Sequence, residues 1–412
     1  MTEIRDINLR IIFDSRGDKT VEAEVITREA RGIASCPSGA SKSSYEVETI
    51  PKKGLENAIR DFMINVKPKL LGLDSSKQEE IDKILLESDG TKRLENYGAS
   101  IILSVSIANL KAASIAINKK IFEKLNEKDQ YYLPLPLGNV IGGGKHAKNR
   151  SIDIQEILVF CNNSINIIEA IEANIIMHRK LFKLLSSHDP YFAGGKNDEG
   201  ALVTRMPLKK ILSLVNQARK EIHEEKGYEI LIGLDVAASS LWNGERYEYP
   251  LEKLSLNDEE QLNFILELVN EFDIFYIEDP FHEDSFEYFS ELSSRNPDIL
   301  VVGDDLYASN EDRLKIGIAK KASNGVIIKP NQVGCVSKVL RTINLAVNSG
   351  IKPIVSHRSG ETEDVFISHL AVAFDSPLIK TGTIGGERIS KLNELIRIAE
   401  FLKDRAKLNK LK

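Results

Sequence analysis

Six short apolar runs in the second half of the chain, at 230–234, 274–277, 299–303, 326–328, 354–356 and 378–379, each end beside a residue able to do chemistry. Asp235, Glu278 and Asp304 follow the first three, and Lys329, His357 and Lys380 follow the others. One such residue is ordinarily a polar group where a strand meets solvent; six reactive types in six successive positions are not explained that way. Three carboxylates brought together repel one another unless a cation joins them, and donors that are all oxygen suit a hard ion, Mg²⁺ rather than zinc. A lysine beside that ion feels added positive charge, which lowers its pKa and lets it act as a neutral base. Metal, lysine base and no redox-cofactor motif point to proton abstraction next to a carboxylate, with the ion stabilising the enolate-like dianion. The segment Ser356-His357-Arg358-Ser359-Gly360-Glu361-Thr362 fits an anion site: Arg358 offers a planar donor fork, Ser359 a hydroxyl, and a following helix its backbone N–H groups.

These residues need a scaffold that turns strand ends toward one point. Between the six runs lie amphipathic segments of helix length. Leu262, Ile265, Val269 and Phe272 share one helical face, as do Val336, Val339, Leu340, Ile343 and Val347, with Gly350 placed to end that helix. Repeating strand–helix units imply parallel strands with helices outside. Two further strands are expected at 137–141 and 152–160; the ten residues 142–151 between them are too few for a crossover helix, so this pair is expected to be antiparallel. Helices at 164–186 and 207–224 lead to the run at 230. Eight strands favour a closed α/β barrel with one strand reversed, its active site at the carboxyl ends of the strands.

The preceding region reads as a small α+β unit: a strand meander at 7–13, 21–26 and 31–36 with Asp14-Ser15-Arg16-Gly17-Asp18 as its first turn, then helices at 54–69, 76–87 and 98–118. Alternate prolines in Leu133-Pro134-Leu135-Pro136 exclude a helix and mark the junction. The expected division is 1–133 for the N-terminal α+β domain and 134–412 for the barrel.

With 412 residues, 42% hydrophobic and 28% charged, the chain has the composition of a globular protein of two domains. A net charge of -6 argues against nucleic acid or an anionic membrane as main partner. No uninterrupted apolar run approaches the ~18 residues of a membrane span, and the charged start Met1-Thr2-Glu3-Ile4-Arg5-Asp6 lacks the apolar stretch of a signal peptide. Cys36, Cys161 and Cys335 lie far apart without a Cys-x-x-Cys pair, which indicates neither disulfides nor zinc and fits a reducing cytoplasm. Gly142-Gly143-Gly144-Lys145 fails as a nucleotide loop, because Asn139 and His146 stand where that pattern needs Gly and Ser or Thr.

From Asp14-Ser15-Arg16-Gly17 to Lys380-Thr381-Gly382 the sequence resembles the enolase family. The motifs that carry the resemblance are Pro37-Ser38-Gly39-Ala40-Ser41, Gly143-Gly144-Lys145-His146-Ala147, Asp153-Ile154-Gln155-Glu156, Asp198-Glu199-Gly200, Leu234-Asp235-Val236-Ala237-Ala238-Ser239, Ile277-Glu278-Asp279-Pro280-Phe281, Gly303-Asp304-Asp305-Leu306, Lys329-Pro330-Asn331-Gln332-Val333-Gly334 and the Ser-His-Arg-Ser-Gly-Glu-Thr run. The family has a small N-terminal α+β domain and a barrel with a reversed second strand.

The resemblance implies a reaction and its residues: reversible dehydration of 2-phosphoglycerate to phosphoenolpyruvate in glycolysis and gluconeogenesis. Asp235, Glu278 and Asp304 would bind the tight Mg²⁺, and Ser41 a second one from a loop that closes over substrate. Lys329 would be the base and Glu199 the acid, supported by Glu156. Lys380 would hold the substrate carboxylate, His146 and His357 would line the site, and Arg358 and Ser359 would hold the phosphate. The chain departs from the family pattern at Lys42-Ser43, at Lys196-Asn197 and at Ala201. The resemblance also implies a homodimer or larger assembly. Two alternatives are a related dehydratase acting on another carboxylate, which would lack the Ser-Gly-Ala-Ser loop and the phosphate segment, and a non-catalytic protein with a secondary cell-surface or secreted presence, binding through Lys407-Leu408-Asn409-Lys410-Leu411-Lys412. A charged, solvated tail is the simpler reading of those last residues.

Overall fold

The computed structural model describes residues 2–40, 43–148 and 151–411. The chain opens with a three-stranded antiparallel meander, β1 (Ile4–Phe13), β2 (Lys19–Thr27) and β3 (Arg31–Ser35). Five helices follow: α1 (Leu55–Asn65), α2 (Lys67–Leu70), α3 (Gln78–Asp89), α4 (Gly98–Ala116) and α5 (Ile121–Leu125). The continuous helix expected over 54–69 is interrupted at Val66. Pro68 explains this: it has no N–H to give the preceding turn, and its ring crowds the carbonyl four residues back. By length and composition α4 could cross a membrane, unlike any run foreseen from the sequence. It is instead the core helix of this unit, packed against β2 and β3 on one side, with Lys111 its only charge.

After β4 (Tyr131–Leu133) comes a closed barrel of eight strands, in the order β5 (Leu135–Gly142), β6 (Glu156–Cys161), β7 (Ile230–Asp235), β10 (Ile274–Glu278), β11 (Leu300–Gly303), β12 (Gly325–Ile328), β13 (Lys352–Ser356) and β14 (Leu378–Lys380), which closes on β5. All neighbours are parallel except β6, which runs antiparallel to both β5 and β7. The second strand is therefore the reversed one, as expected. It begins at residue 156 rather than 152, because 152–155 leaves the sheet: the carbonyls of Ile152 and Gln155 accept from Gly144 and Gly143, and the Asp153 carboxylate caps the backbone of Leu251 and Glu252.

The outer layer comprises α6 (Ile167–His188), α7 (Leu208–Lys226), α8 (Asp258–Phe272), α9 (Phe286–Arg295), α10 (Glu311–Lys320), the short α11 (Pro330–Val333), α12 (Val336–Asn348), α13 (Phe366–Ala373) and α14 (Gly386–Leu402). A small hairpin, β8 (Tyr247–Tyr249) and β9 (Leu254–Leu256), precedes α8. The predicted faces of α8 and α12 are buried, except that Leu340 is only partly buried and Val347 is 49% exposed; Ala346 takes the inward place in that last turn. Inside the barrel, Leu137, Leu158, Phe160, Tyr276, Val302, Ile327 and Ile354 form a closed apolar plug below the mouth. The chain end is not a free solvated tail. Strand β15 (Ala406–Leu408) pairs in parallel with β4, and Leu408 and Leu411 pack under the plug.

Candidate active site

Carboxyl ends of parallel barrel strands share one mouth. Reversal of β6 puts its amino end there too, so Glu156, its first residue, lies beside Asp235, the last residue of β7; Asp235 in turn is the register partner of Glu278 on β10. Three acids thus stand abreast on neighbouring strands, all essentially buried. Across the barrel Lys380 ends β14 and aims its Nζ at them: 2.7 Å from Asp235 Oδ2, 2.9 Å from Glu278 Oε1 and 3.2 Å from Glu156 Oε2. Gln155 donates to Asp235 at 3.1 Å, and the Tyr276 hydroxyl, two residues before Glu278 on the same inward face, donates to that carboxylate at 2.5 Å. Asp304 lies just beyond β11 and pairs with Lys329, just beyond β12. The Asp279 carboxylate accepts from the backbone N–H groups of Asp304 and Asp305, at 2.9 and 2.6 Å, and so fixes the turn that presents Asp304.

The acids outnumber the ammonium groups, and their pKa values record it. Burial and the Asp235 charge hold Glu278 well above the usual carboxylate range. Burial and the adjoining Asp305 and Asp304 do the same to Asp279, and burial with Asp304 pushes Asp305 up to about 8. Burial works against the charged form of Lys329 and Lys380, but Asp304 in one case and Asp235, Glu156 and Glu278 in the other outweigh it and hold both lysines above their ordinary value. A divalent cation fits this setting, because the donors are hard oxygens and the surplus charge is negative. Asp279, Asp304 and Asp305 each offer an oxygen within reach of a common ion; of these only Asp304 was expected as a ligand from the sequence.

On the other side of the mouth His146 places Nδ1 3.4 Å from both Glu156 Oε1 and Glu199 Oε1. Glu199 Oε2 accepts from Asn139 Nδ2 at 3.0 Å, and His357 Nε2 lies 3.7 Å from the same oxygen. Burial and the Glu199 charge push Glu156 up to about 7. Burial alone would raise Glu199 as well, but His146, His357 and Arg388 outweigh it and hold Glu199 well below the usual range. Of the two glutamates, Glu156 therefore holds a proton more readily and Glu199 less readily. Asn197, one of the departures from the family pattern, shapes this loop: its Oδ1 accepts from the backbone N–H of Glu199 and Ala201, at 3.0 and 2.9 Å.

The anion segment is built from both domains. Ser38 and Gly360 exchange backbone hydrogen bonds of 2.7 and 2.9 Å, and Ala40 N–H donates to Ser359 Oγ at 2.7 Å. The Arg358 guanidinium is buried against Glu46, at 2.9 and 3.2 Å, and Asn331, at 3.1 Å. Gln332 joins the halves, donating to both Glu46 and Asp304 at 3.2 Å. A side chain at Gly39 would meet Arg358 Nη2 at 1.8 Å, so any larger residue there requires the guanidinium or the loop to shift.

The structure therefore brings together at one mouth Asp235, Glu278, Asp304, Lys329, Lys380, Glu156, Glu199, His146, His357, Arg358 and Ser359. Ser41 lies outside the described residues. Sequence reasoning missed Glu46, Tyr276 and Arg388. Tyr276 carried a signal, since alternation places it on the inward face with Glu278; Glu46 and Arg388 come from distant segments with no local pattern to mark them.

Fold and mouth together define a class: a two-domain α/β barrel protein with a reversed second strand and an acid- and lysine-lined centre for chemistry next to a carboxylate. The family models narrow it. "Enolase, N-terminal domain" matches residues 4–125 and "Enolase, C-terminal TIM barrel domain" residues 130–412. Proteins named enolase from Methanothermobacter thermautotrophicus and Picrophilus torridus are 43% and 44% identical, over 96% and 97% of this chain and 96% and 99% of theirs. That from Pyrobaculum aerophilum is 41% identical over 97% of both chains. The chain belongs to the enolase family.

Proposed function

We propose that this protein catalyses the reversible, Mg²⁺-dependent dehydration of 2-phosphoglycerate to phosphoenolpyruvate, as a lyase of the phosphopyruvate hydratase type. The observation that carries the reading is the juxtaposition of three functions at one mouth: an acid cluster with a lysine on either side, a buried glutamate pair bridged by His146, and a buried arginine–serine anion segment. Asp235, Glu278 and Asp304 would hold one Mg²⁺, and Ser41 a second. When bound, Mg²⁺ supplies charge that offsets the acids, releases Lys329 from the hold of Asp304 and stabilises the negative charge that grows on the substrate carboxylate. Lys329 removes the proton from the carbon beside that carboxylate, and Lys380 steadies the charge left behind. The proton on the Glu156–Glu199 pair, steered by His146, passes through Glu199 to the departing hydroxyl, which leaves as water. Arg358 and Ser359 take the phosphate, Arg358 exchanging part of its hold on Glu46 for it.

A dehydratase acting on an unphosphorylated acid would have no use for the Ser38–Gly360 pairing that seats Arg358 and Ser359. The division into domains at 133/134, a homodimer or larger assembly and a cytoplasmic location belong to the same reading. The test is to mix the protein with 2-phosphoglycerate and follow phosphoenolpyruvate by its ultraviolet absorbance, with and without a chelator. A Mg²⁺-dependent signal is expected, and its absence would sink the reading. Lys329→Ala should also abolish exchange of the substrate's carbon-bound proton with solvent; persistence of that exchange would assign the base elsewhere.

A further inference from the structure

Arg388, in the first turn of α14, is the largest fully buried side chain among the described residues. Its guanidinium lies behind the mouth and reaches two site loops. Nη1 donates to His357 Nδ1 at 2.9 Å and also to the Arg358 carbonyl. Nη2 donates to the Ser359 carbonyl at 2.6 Å and to the Asp198 carbonyl at 3.2 Å. Nε faces the Glu387 carboxylate at 3.3 Å. One side chain therefore ties the loop that carries Glu199 to the loop that carries the anion residues.

The contact with His357 has a chemical consequence. A guanidinium has donors only and stays charged at any working pH. Nδ1 of His357 must therefore accept. In a neutral ring the one proton then sits on Nε2. The ring is neutral here: burial holds His357 well below the usual imidazole range, and Arg388, Lys380 and Lys329 add to that against the opposing pull of Glu199. Nε2 is buried and has no hydrogen-bond partner among the described residues; the nearest carboxylate oxygen is Glu199 Oε2 at 3.7 Å. A second backbone tie, His357 N–H to the Lys380 carbonyl at 2.9 Å, fixes where the ring starts from.

We propose that Arg388 is a positioning residue that locks His357 as the Nε2–H tautomer, so that the ring presents a hydrogen-bond donor toward Glu199 and the substrate space. With the other tautomer a lone pair would face the Glu199 carboxylate, and the ring could neither steady that carboxylate nor donate to a substrate oxygen. The tautomer assignment stands without the dehydratase reading; only its kinetic consequence rests on it.

The test is ¹⁵N NMR of protein labelled at its histidines, with the His357 signals assigned by their loss in His357→Gln. At neutral pH the expected pattern is a protonated Nε2 and an unprotonated Nδ1. A wild-type ring protonated at Nδ1 would overturn the proposal, whether or not any variant folds. Arg388→Met should mix the tautomers and lower kcat by about 10-fold or more, the scale of losing a group that orients another, with KM changed less. Arg388→Lys, which restores a donor, should recover part of both. A folded Arg388→Met protein with wild-type tautomer and kcat would equally overturn it. Protein that shows the expected tautomer yet leaves 2-phosphoglycerate unchanged would defeat the proposed reaction and leave this assignment intact.

Discussion

At the scale of single residues, the mouth is held by contacts that tolerate almost no added volume. Gly39 shows it: a methyl group there would fall 1.8 Å from Arg358 Nη2. Gly39→Ala must displace either the loop or the guanidinium. Losing one hydrogen bond to a charged group costs about 1.5–3 kcal/mol, so KM for 2-phosphoglycerate should rise by roughly tenfold to a hundredfold. Steady-state kinetics check this, and an unchanged KM would mean that Arg358 does not hold the phosphate. The residues most legible in the sequence were those whose position follows from a local pattern. Asp235, Glu278 and Lys380 end apolar runs, and the repeating strand–helix order fixes which end of each run points to the mouth. Glu156 was not legible in that way: it begins its strand, and only the reversal of β6 carries it to the mouth, so the family motif identified it where strand order did not. Glu46 and Arg388 act on residues far along the chain, across a domain boundary or behind a loop, and no spacing rule reaches that distance.

Between elements, the N-terminal unit is fastened to the barrel by buried polar contacts as much as by apolar ones. On α3 the Asp82 carboxylate accepts from Ser106 of α4 at 2.5 Å and from the backbone and hydroxyl of Ser337 of α12, at 2.8 and 2.6 Å. Lys111 of α4 pairs at 2.6 Å with Asp364, whose carboxylate also accepts from Phe366 N–H at the start of α13 and from Ser35 N–H of β3. Periodicity located α3, α4 and α12, yet gave no sign of such ties, because a lysine within an apolar helix has the same spacing whether or not it meets a partner. Burial would raise Asp364, but Lys111 outweighs it and holds the carboxyl below its ordinary value. A depressed folded-state pKa means stability that is present above the unfolded value, about 3.9, and lost as pH falls through the folded one. Removing one partner of a buried pair costs about 3–5 kcal/mol, so Lys111→Met should lower the urea midpoint strongly at neutral pH. The gap from the wild type should narrow as the solution is acidified past the carboxylate range and Asp364 takes up a proton. A gap that stayed constant with pH would show that the lysine contributes by packing alone.

For the whole molecule, chemistry sits at one end of the barrel and closure of its apolar interior at the other. The plug around Phe160, Tyr276 and Ile354 keeps water out beneath Glu278 and Lys380, which is the condition for their electrostatics to act at full strength. That plug needs a floor, and the last residues supply it. Lys407 and Lys410 gave the segment the look of a solvated tail, but the residues between and beyond them decide its fate. Leu408 and Leu411 turn inward under the plug, Asn409 donates to the carbonyls of Asp375 and Ser376, and β15 extends β4 by a parallel register from Ala406 to Leu408. Both lysines remain outside: Lys407 faces away from Leu408 by the alternation of β15, and Lys410 lies beyond the strand. Truncation after Arg405 removes this floor while leaving every residue of the mouth in place. Burying two leucines contributes about 1.5–3 kcal/mol each at most, and both are only partly covered, so a loss of about 2–4 kcal/mol is expected. Thermal melting should therefore shift downward, with KM for 2-phosphoglycerate unchanged at temperatures where the shortened chain is folded. An unchanged melting temperature would return the segment to the status of a free tail and make its lysines available to a partner.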